Sequence, residues 1–404
     1  MFKKIVKSYD FSLIAIIILL SLFGLVMIYS ASIVVGPQKF EVAPDFFYEK
    51  QKTHLILGFV LFAIFAILPY KLYKHKYVLM TIFFGSIAVL FLIDIVGHEA
   101  NNAQSWLVIG GAKFQPSEFI KLGMIIYLSA IYSKKQSYIN DFNAGVLPPI
   151  IFLVFICGLV FFQPDFGTAL IIFMIGATII ISSGMSFKSI MKLVSILLVI
   201  ALIVTPILLF KKDKIFTDQR MGRIYSYIDP FKYEEKEGYQ LVNSYIAIGS
   251  GGLSGSGLGN SIQKYGYLPE PHTDFIMAIV SEELGAKGVL FVIFSLSFIV
   301  LKGYRIAAKC RDAFGSLLVI GISSMIGIQS FINLGGLTGI IPITGVPLPF
   351  VSYGGSSILL LAISMGVLVN VSMFTRYENT YKLKKEAIIP QENASFQRKY
   401  FSLK

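Results

Sequence analysis

Residues 268–288, LPEPHTDFIMAIVSEELGAKG, place charged side chains at the start of an apolar run. They are Asp274, Glu282, Glu283 and Lys287. A carboxylate near a membrane surface can act as a general base and take a proton from a hydroxyl group. A carboxylate or hydroxyl there can instead cap a helix by accepting a hydrogen bond from an unpaired backbone N–H group. Thr273 or Asp274 suits that second role, so the residue pattern leaves both interpretations of Asp274 open.

The spacing of the three carboxylates argues against a single paired-carboxylate site. Around a helix, Glu282 lies about 80° and Glu283 about 180° from Asp274. Counting about 20 residues outward from Lys302 places the two glutamates at the membrane interface, with Asp274 about 12 Å further out. We therefore predict structural roles for the glutamates and a position at lipid-headgroup height for Asp274.

Other polar residues near the starts of predicted helices are further candidates. Glu118 and Lys121 are three residues apart, a spacing that predicts an ion pair on one helix face. Asp165 opens another helix, and Trp106, the only tryptophan, is typical of an interfacial anchor. Each alone is more often structural than catalytic, but together they could line a polar cleft. The glycine-rich segment 249–260 lacks the GK[ST] ending of a phosphate-binding loop and is predicted to be flexible.

The composition excludes a water-soluble fold, because 55% of the 404 residues are hydrophobic and only 14% are charged. The net charge of +12 comes from short basic groups scattered between apolar runs, so we predict no nucleic-acid partner. Two cysteines imply no disulfide framework, and four widely spaced histidines argue against a zinc site.

Apolar runs long enough to cross a bilayer predict an all-α integral membrane protein with about ten transmembrane helices in one polytopic domain, 1–404. The predicted spans are residues 11–30, 55–70, 77–96, 118–132, 145–162, 166–184, 193–210, 275–301, 313–341 and 350–374. Basic residues concentrate in alternate loops, which places both termini and the basic tail 375–404 in the cytoplasm. The long loop 211–273, between the seventh and eighth helices, is then extracytoplasmic.

Prolines stand just before or at the start of four helices that begin on the outer face. They are Pro116, Pro164, Pro271 and Pro349. Converging helix N-termini would form an anion site, because each carries unpaired N–H groups and about half a positive charge. The alternative is that these prolines only end the preceding loops.

Five stretches resemble the SEDS proteins of bacteria, the group of FtsW, RodA and SpoVE, in order and across essentially the whole chain. They are FGLVMIYSAS, FQPSEFIKL, FFQPDFGTAL, YLPEPHTDFIMAIVSEELG and TGVPLPFVSYGGSS. The family consists of ten-helix membrane enzymes that polymerise lipid II into glycan strands of peptidoglycan, each working with a class B penicillin-binding protein. The resemblance implies the same activity here, in the bacterial cytoplasmic membrane with an extracytoplasmic active face.

The PEPHTDFI and SEELG stretches are closer to FtsW and SpoVE than to RodA. The resemblance therefore implies a role in division or sporulation, with other divisome-type membrane proteins as partners. Asp274 matches the catalytic aspartate of the family, and Glu118, Lys121 and Asp165 match a buried polar network, with Trp106 and Gln115 in the same region. Lys50 stands where relatives often have arginine, and a lysine lacks the planar two-pronged contact that an arginine makes with phosphate.

The implied reaction is inverting glycosyl transfer, with Asp274 as general base and polyprenyl pyrophosphate as leaving group. Arg220, Arg223 and Lys264, the helix N-termini or a divalent cation, Mg²⁺ or Mn²⁺, would stabilise the leaving charge. The two arginines suit an interfacial amphipathic segment equally well. The rival functions are a lipid II flippase and a scaffold that recruits the penicillin-binding protein. Clustering of charges at one face favours the enzyme, because transporters place ionisable groups near the bilayer midplane.

Overall fold

The structure, a computed structural model, describes residues 2–96, 98–100, 103–109, 112–163, 165–196, 198, 218–236 and 238–382. This part of the chain is mainly helical. The α-helices are α1 (Phe2–Ser8), α2 (Phe11–Ser32), α3 (Val35–Phe40), α4 (Phe46–Ile67), α5 (Lys76–Val96), α6 (Pro116–Lys134), α7 (Leu147–Phe162), α8 (Phe166–Ser182), α9 (Asp218–Ile228), α10 (Tyr239–Gly251), α11 (Ile276–Lys309), α12 (Ala313–Leu337) and α13 (Gly355–Tyr377). Residues 187–196 are helical as well.

The prediction of a helical membrane-protein fold is confirmed. Seven helices in the described part of the chain are long and apolar enough to cross a membrane, and α8 is apolar but shorter. Helices occupy every predicted span except the seventh, residues 193–210, most of which lies outside the described residues. The total of ten stays a prediction.

The helices α12 and α13 form the centre of the bundle. In the most apolar 18-residue stretch of each helix, 72% of the residues are buried. The corresponding share is 22% in α4 and α5, whose remaining side chains face outward. The polar side chain of Asn333 on α12 is buried, so it is surrounded by protein rather than lipid.

The segment before α6, which carries Trp106, is not helical. It forms a three-stranded antiparallel sheet of β1 (His98–Ala100), β2 (Ala103–Ile109) and β3 (Ala112–Phe114). Pairing within the segment satisfies backbone N–H and C=O groups that an irregular loop would leave to water. The described residues outside this small sheet contain no other strand, so the helical fold class stands.

The two ends of α11 lie on opposite faces of the bundle. Its 34 residues span about 50 Å along the helix, with Asp274 just before its start. At the far end, Lys302 forms an ion pair with Asp10 at 3.1 Å, and the Asn379 amide donates to the Lys309 carbonyl at 3.2 Å. The N-terminal helices and the end of α13 therefore share the face opposite Asp274.

The long segment 211–273 is largely folded where it is described, from residue 218 onward. It contains α9, α10 and the helical turn Gln263–Tyr265. The α10 helix packs against α11, and the Ser244 hydroxyl donates to the Leu337 carbonyl at 2.9 Å. The glycine-rich segment 249–260 was predicted to be flexible, but it finishes α10 and then hydrogen-bonds to α11. Its glycines allow close backbone approach rather than disorder.

The first residues of the predicted tail 375–404 are helical. The α13 helix continues to Tyr377 and a helical turn covers Glu378–Lys382, so residues 375–382 of the predicted tail are folded. The remaining residues, 383–404, lie outside the described part of the chain.

Candidate active site

Asp274 lies in the turn before α11 and is half-buried. The helix begins at Ile276 with Phe275 at the N-cap position, so neither Thr273 nor Asp274 occupies the cap. The Thr273 hydroxyl instead donates to the Glu270 carboxylate at 3.0 Å. The helix start therefore does not place Asp274 in the capping role that the residue pattern left open.

Three successive backbone carbonyls hold the Asp274 segment against other helices and loops. The His272 carbonyl accepts from Tyr353 N at 2.9 Å, and the Thr273 carbonyl accepts from the Ser352 hydroxyl at 2.6 Å. The Asp274 carbonyl accepts from the Asn333 side-chain amide at 2.8 Å. These bonds fix the backbone that carries the carboxylate, which is the pre-organisation that a general base needs.

A small recess, partly open to solvent, adjoins Asp274. Its lining comes from the Asp274 segment, the end of α12 and residues 343–346. Gly345 has φ of 76°, and a Cβ atom there would lie 3.4 Å from Asp274 Oδ2. The glycine backbone thus forms a wall directly beside the carboxylate.

A second polar group lies where α6 and α8 begin. Lys121 and Glu118 form a buried ion pair at 2.6 Å, as their spacing predicts. Asp165 caps α8 by accepting from Thr168 N at 3.2 Å, and its other oxygen accepts from the Gln115 side-chain amide at 3.1 Å. The structure therefore brings together Glu118, Lys121 and Asp165, the three residues that the family resemblance assigned to one network, and bonds Gln115 to Asp165.

The loop that forms the recess also contacts the start of α8, which Asp165 caps. A Cβ atom on Gly167, in the first turn of α8, would lie 3.3 Å from the Thr344 carbonyl. Gln115 N donates to the Ser356 hydroxyl at 3.0 Å, which joins the starts of α6 and α13. Asp274, the polar group and the starts of α6, α8, α11 and α13 thus surround one region.

The predicted role of proline at these helix starts holds only in part. Pro116 is in the first turn of α6. Pro271 and Pro349 stand several residues before α11 and α13, in loop segments, and Pro164 lies outside the described residues. The helix starts converge through hydrogen bonds and close glycine contacts, not through a common proline position.

Lys264 occupies a different place from the one expected of a pyrophosphate contact. Its side chain is buried, and its ammonium donates to Glu283 at 2.8 Å and to the Ser30 hydroxyl at 3.2 Å. Glu282 and Glu283 are also buried, in keeping with the structural roles that the sequence predicts for them. A buried carboxylate needs an opposite charge or several donors, and here Lys264 supplies the charge.

The remaining predicted residues are spread around the recess. Lys50 is exposed and lies over the Phe46 ring at 4.2 Å. The neighbouring Gln51 is buried and accepts from Gly354 N at 3.3 Å, which ties α4 to the start of α13. Trp106 is half-buried on β2. Arg220 and Arg223 lie on α9, where the structure describes their backbone only.

Sequence reasoning missed His272 and the part that Asn333 plays. His272 is buried against the rings of Phe47 and Tyr353, with centroids 4.3 and 5.6 Å away. Burial lowers its pKa from 6.5 to about 4, so the ring stays neutral at physiological pH. Asn333 was noted only as an uncharged mid-span residue, yet its amide holds both the Asp274 and Val346 carbonyls, each at 2.8 Å. The sequence feature that could have indicated this role is an asparagine within a mostly apolar helix.

The sequence that forms this site is similar to a known protein family over most of its length. The family model described as a cell cycle protein, FtsW/RodA/SpoVE, matches residues 10–377. The chain belongs to the FtsW/RodA/SpoVE family. This FtsW/RodA/SpoVE protein is 54% identical over 391 residues to the probable peptidoglycan glycosyltransferase FtsW of Bacillus subtilis, with 97% of each chain covered. It is also 39% identical over 381 residues to stage V sporulation protein E of that organism, covering 92% of this chain and 98% of the relative.

Solved structures share this fold over about nine tenths of the chain. The crystal structure of the rod shape determining protein RodA of Thermus thermophilus matches with a TM-score of 0.64 at 23% identity, covering 90% of this chain and 96% of RodA. A chain from a structure on the coordination of polymerization and crosslinking by a peptidoglycan synthase complex matches with a TM-score of 0.71 at 23% identity. That match covers 91% of this chain and 98% of the other.

Proposed function

We propose that this protein is a peptidoglycan glycosyltransferase that polymerises lipid II during cell division or sporulation. The observation that carries the proposal is Asp274, whose backbone is held at three successive carbonyls beside an open recess at one face of a membrane bundle. The relationship to FtsW and to stage V sporulation protein E supports this choice of substrate and process.

The proposed reaction is inverting glycosyl transfer. The oxygen of the 4-hydroxyl group of one lipid II sugar attacks the anomeric carbon of the growing glycan chain. The bond from that carbon to the pyrophosphate oxygen breaks, and polyprenyl pyrophosphate leaves with the bonding electrons. Asp274 accepts the proton of the attacking hydroxyl group, a general-base contribution of typically 10² to 10⁴ in rate. The polyprenyl tether keeps both substrates at the height of the recess, which lowers the entropy cost of the encounter.

The leaving pyrophosphate requires positive charge or N–H donors. We assign this role to the converging starts of α6, α8 and α13 and to Arg220 and Arg223 of α9. Lys264 is not part of this assignment, because its ammonium is paired with Glu283 inside the protein.

A divalent cation, Mg²⁺ or Mn²⁺, is compatible with this donor set. Among the described residues, no group of three or more His, Cys, Asp or Glu side chains is placed to hold a metal ion. Mg²⁺ usually binds through one or two carboxylates together with substrate phosphates, so Asp274 and the lipid pyrophosphate would suffice. The cation would neutralise charge that develops on the pyrophosphate.

We further propose a class B penicillin-binding protein as the partner that crosslinks the product, alongside other membrane proteins of the division machinery. The matching chain from a complex that coordinates polymerization and crosslinking supports this pairing. We place both termini in the cytoplasm and the recess outside, because the basic loops lie on the face opposite Asp274.

The test is Asp274→Asn in purified, folded protein supplied with lipid II and its partner. We expect glycan polymer formation to fall by at least about 10², because the amide cannot accept the proton. Undiminished polymer would eliminate Asp274 as the base. In vesicles, translocation of labelled lipid without polymer growth would instead support the flippase, and normal division by cells carrying only the variant would support the scaffold.

A further inference from the structure

The α11 helix is interrupted at Gly285, well inside its length. Gly285 has φ of 64° and ψ of −159°, outside the helical region. A Cβ atom on Gly285 would lie 2.5 Å from the backbone nitrogen of Gly255, and a Cβ atom on Gly255 would lie 2.2 Å from the Glu283 carbonyl oxygen. The backbones approach so closely that both positions require glycine.

Residues 252–257, called the bridging segment below, replace the hydrogen bonds that the helix loses at the break. In a continuous helix, the carbonyls of Glu282 and Glu283 would accept from the N–H groups four residues later. Three other bonds span the break instead: Ser256 N to Glu282 O at 2.9 Å, Gly257 N to Glu283 O at 2.9 Å, and Ala286 N to Gly252 O at 3.0 Å. The two halves of α11 are therefore joined through the bridging segment.

The side chains of the same two glutamates hold the chain that follows the bridging segment. The Glu282 carboxylate accepts from Ile262 N at 2.8 Å and from the Ser261 hydroxyl. The Glu283 carboxylate accepts from Lys264 at 2.8 Å and from the Ser30 hydroxyl of α2 at 2.7 Å. Removing such charges from water is costly, and apolar residues of the same size would often stabilise the fold as well. Stability alone therefore does not account for this arrangement.

The upper half of α11, residues 276–284, carries Asp274 just before its first turn. Its outer end is held by the hydrogen bonds to Tyr353, Ser352 and Asn333, and its inner end by the contacts at the break. We infer that Glu282, Glu283 and Lys264 are positioning residues that, through the bridging segment, set where this half-helix and Asp274 stand. They act through the backbone and do not contact the substrate. The inference rests on the proposed function of Asp274 for its activity measurement.

The experiment compares two glycine substitutions in the full-length protein with its partner in lipid nanodiscs. Gly255→Ala puts a Cβ atom against the Glu283 carbonyl, which must then move. Gly184→Ala, on the opposite face, is the matched control, because Gly184 has a similar φ of 86° against 76° but its nearest neighbour, Gln136 Oε1, is at an ordinary 3.8 Å. Both variants carry the same kind of backbone strain, but only Gly255→Ala displaces the backbone at the break in α11.

For Gly255→Ala we expect kcat to fall at least about tenfold with KM unchanged, since a small displacement of a catalytic group costs rate. Amide hydrogen exchange should accelerate over residues 276–284 and stay unchanged over 290–305. Gly184→Ala should match the unsubstituted protein in both measurements. Should Gly255→Ala fail to fold, Ser261→Ala, which removes one donor to Glu282, is measured in the same way.

Two results would overturn the inference: an unchanged kcat, or exchange that accelerates equally along the whole chain. Failure of the proposed function is distinguishable, because it would leave even the unsubstituted protein without polymer formation. In that event the exchange measurement decides alone, and normal exchange over residues 276–284 in Gly255→Ala overturns the positioning role.

Discussion

The buried Asn333 side-chain amide, near the end of α12, donates to the backbone carbonyl of Asp274 at 2.8 Å. The same amide nitrogen donates to the Val346 carbonyl at 2.8 Å. One side chain thus joins the segment that carries the carboxylate to the loop that walls the recess. The position of Asp274 depends on a residue 59 positions away in sequence.

Replacing Asn333 with leucine should lower polymer formation without unfolding the protein. The substitution keeps the side-chain size but leaves two carbonyls without their donor, at about 1 to 3 kcal/mol for each that stays buried. We expect kcat to fall by about tenfold or more as Asp274 shifts. Gln329→Leu removes a buried amide one turn deeper on α12 and should retain activity. Equal losses in the two variants would show a general effect of buried amides.

Breaking the buried ion pair of Glu118 and Lys121 should lower the free energy of unfolding. Lys121→Met leaves the Glu118 carboxylate buried without its counter-charge and should cost about 3 to 5 kcal/mol. The double variant Glu118→Gln with Lys121→Met removes both charges and should recover most of that loss. Thermal unfolding in detergent measures both values. If the double variant is less stable than Lys121→Met, an uncompensated buried charge is not the cause of the stability loss in Lys121→Met.

Gly345→Ala should reduce activity more than stability. Its φ of 76° makes any other residue strained by about 1 to 2 kcal/mol, and the added methyl group would stand 3.4 Å from Asp274 Oδ2. Gly266→Ala carries comparable strain at φ of 105°, with Gln38 Oε1 as its nearest neighbour at 3.7 Å. We expect both variants to unfold at similar temperatures and only Gly345→Ala to lose polymer formation. Full activity in Gly345→Ala would mean that substrate does not approach Asp274 from this side.

His272 should make the protein less stable at acidic pH. Burial lowers its pKa from 6.5 to about 4, so between these values the unfolded chain binds more protons than the folded one. The contribution of the neutral His272 ring to the free energy of unfolding is complete above pH 6.5. It is lost as the pH falls toward 4, and the total loss is about 3 kcal/mol. His272→Phe keeps a ring between Phe47 and Tyr353 and should flatten the stability profile between pH 4 and 6.5. Unfolding midpoints across that range measure the effect, and parallel profiles would refute it.

Much of this protein follows from its sequence alone. Apolar runs of membrane-spanning length predict helices, and helices occupy every described span, because a lipid environment forces backbone groups to pair within the segment. The three-residue spacing of Glu118 and Lys121 predicts their ion pair, because helix geometry alone brings such residues together. The motif around Asp274 identifies the candidate base and the family.

The tertiary structure decided what depends on contacts between distant segments. Sequence could not show that Lys264 is neutralised by Glu283, that a glycine-rich loop spans a break in α11, or that Asn333 holds Asp274 in place. Each case depends on a hydrogen bond or close backbone approach between residues far apart in the chain. Local residue pattern sets which groups can pair, but packing determines which of them meet.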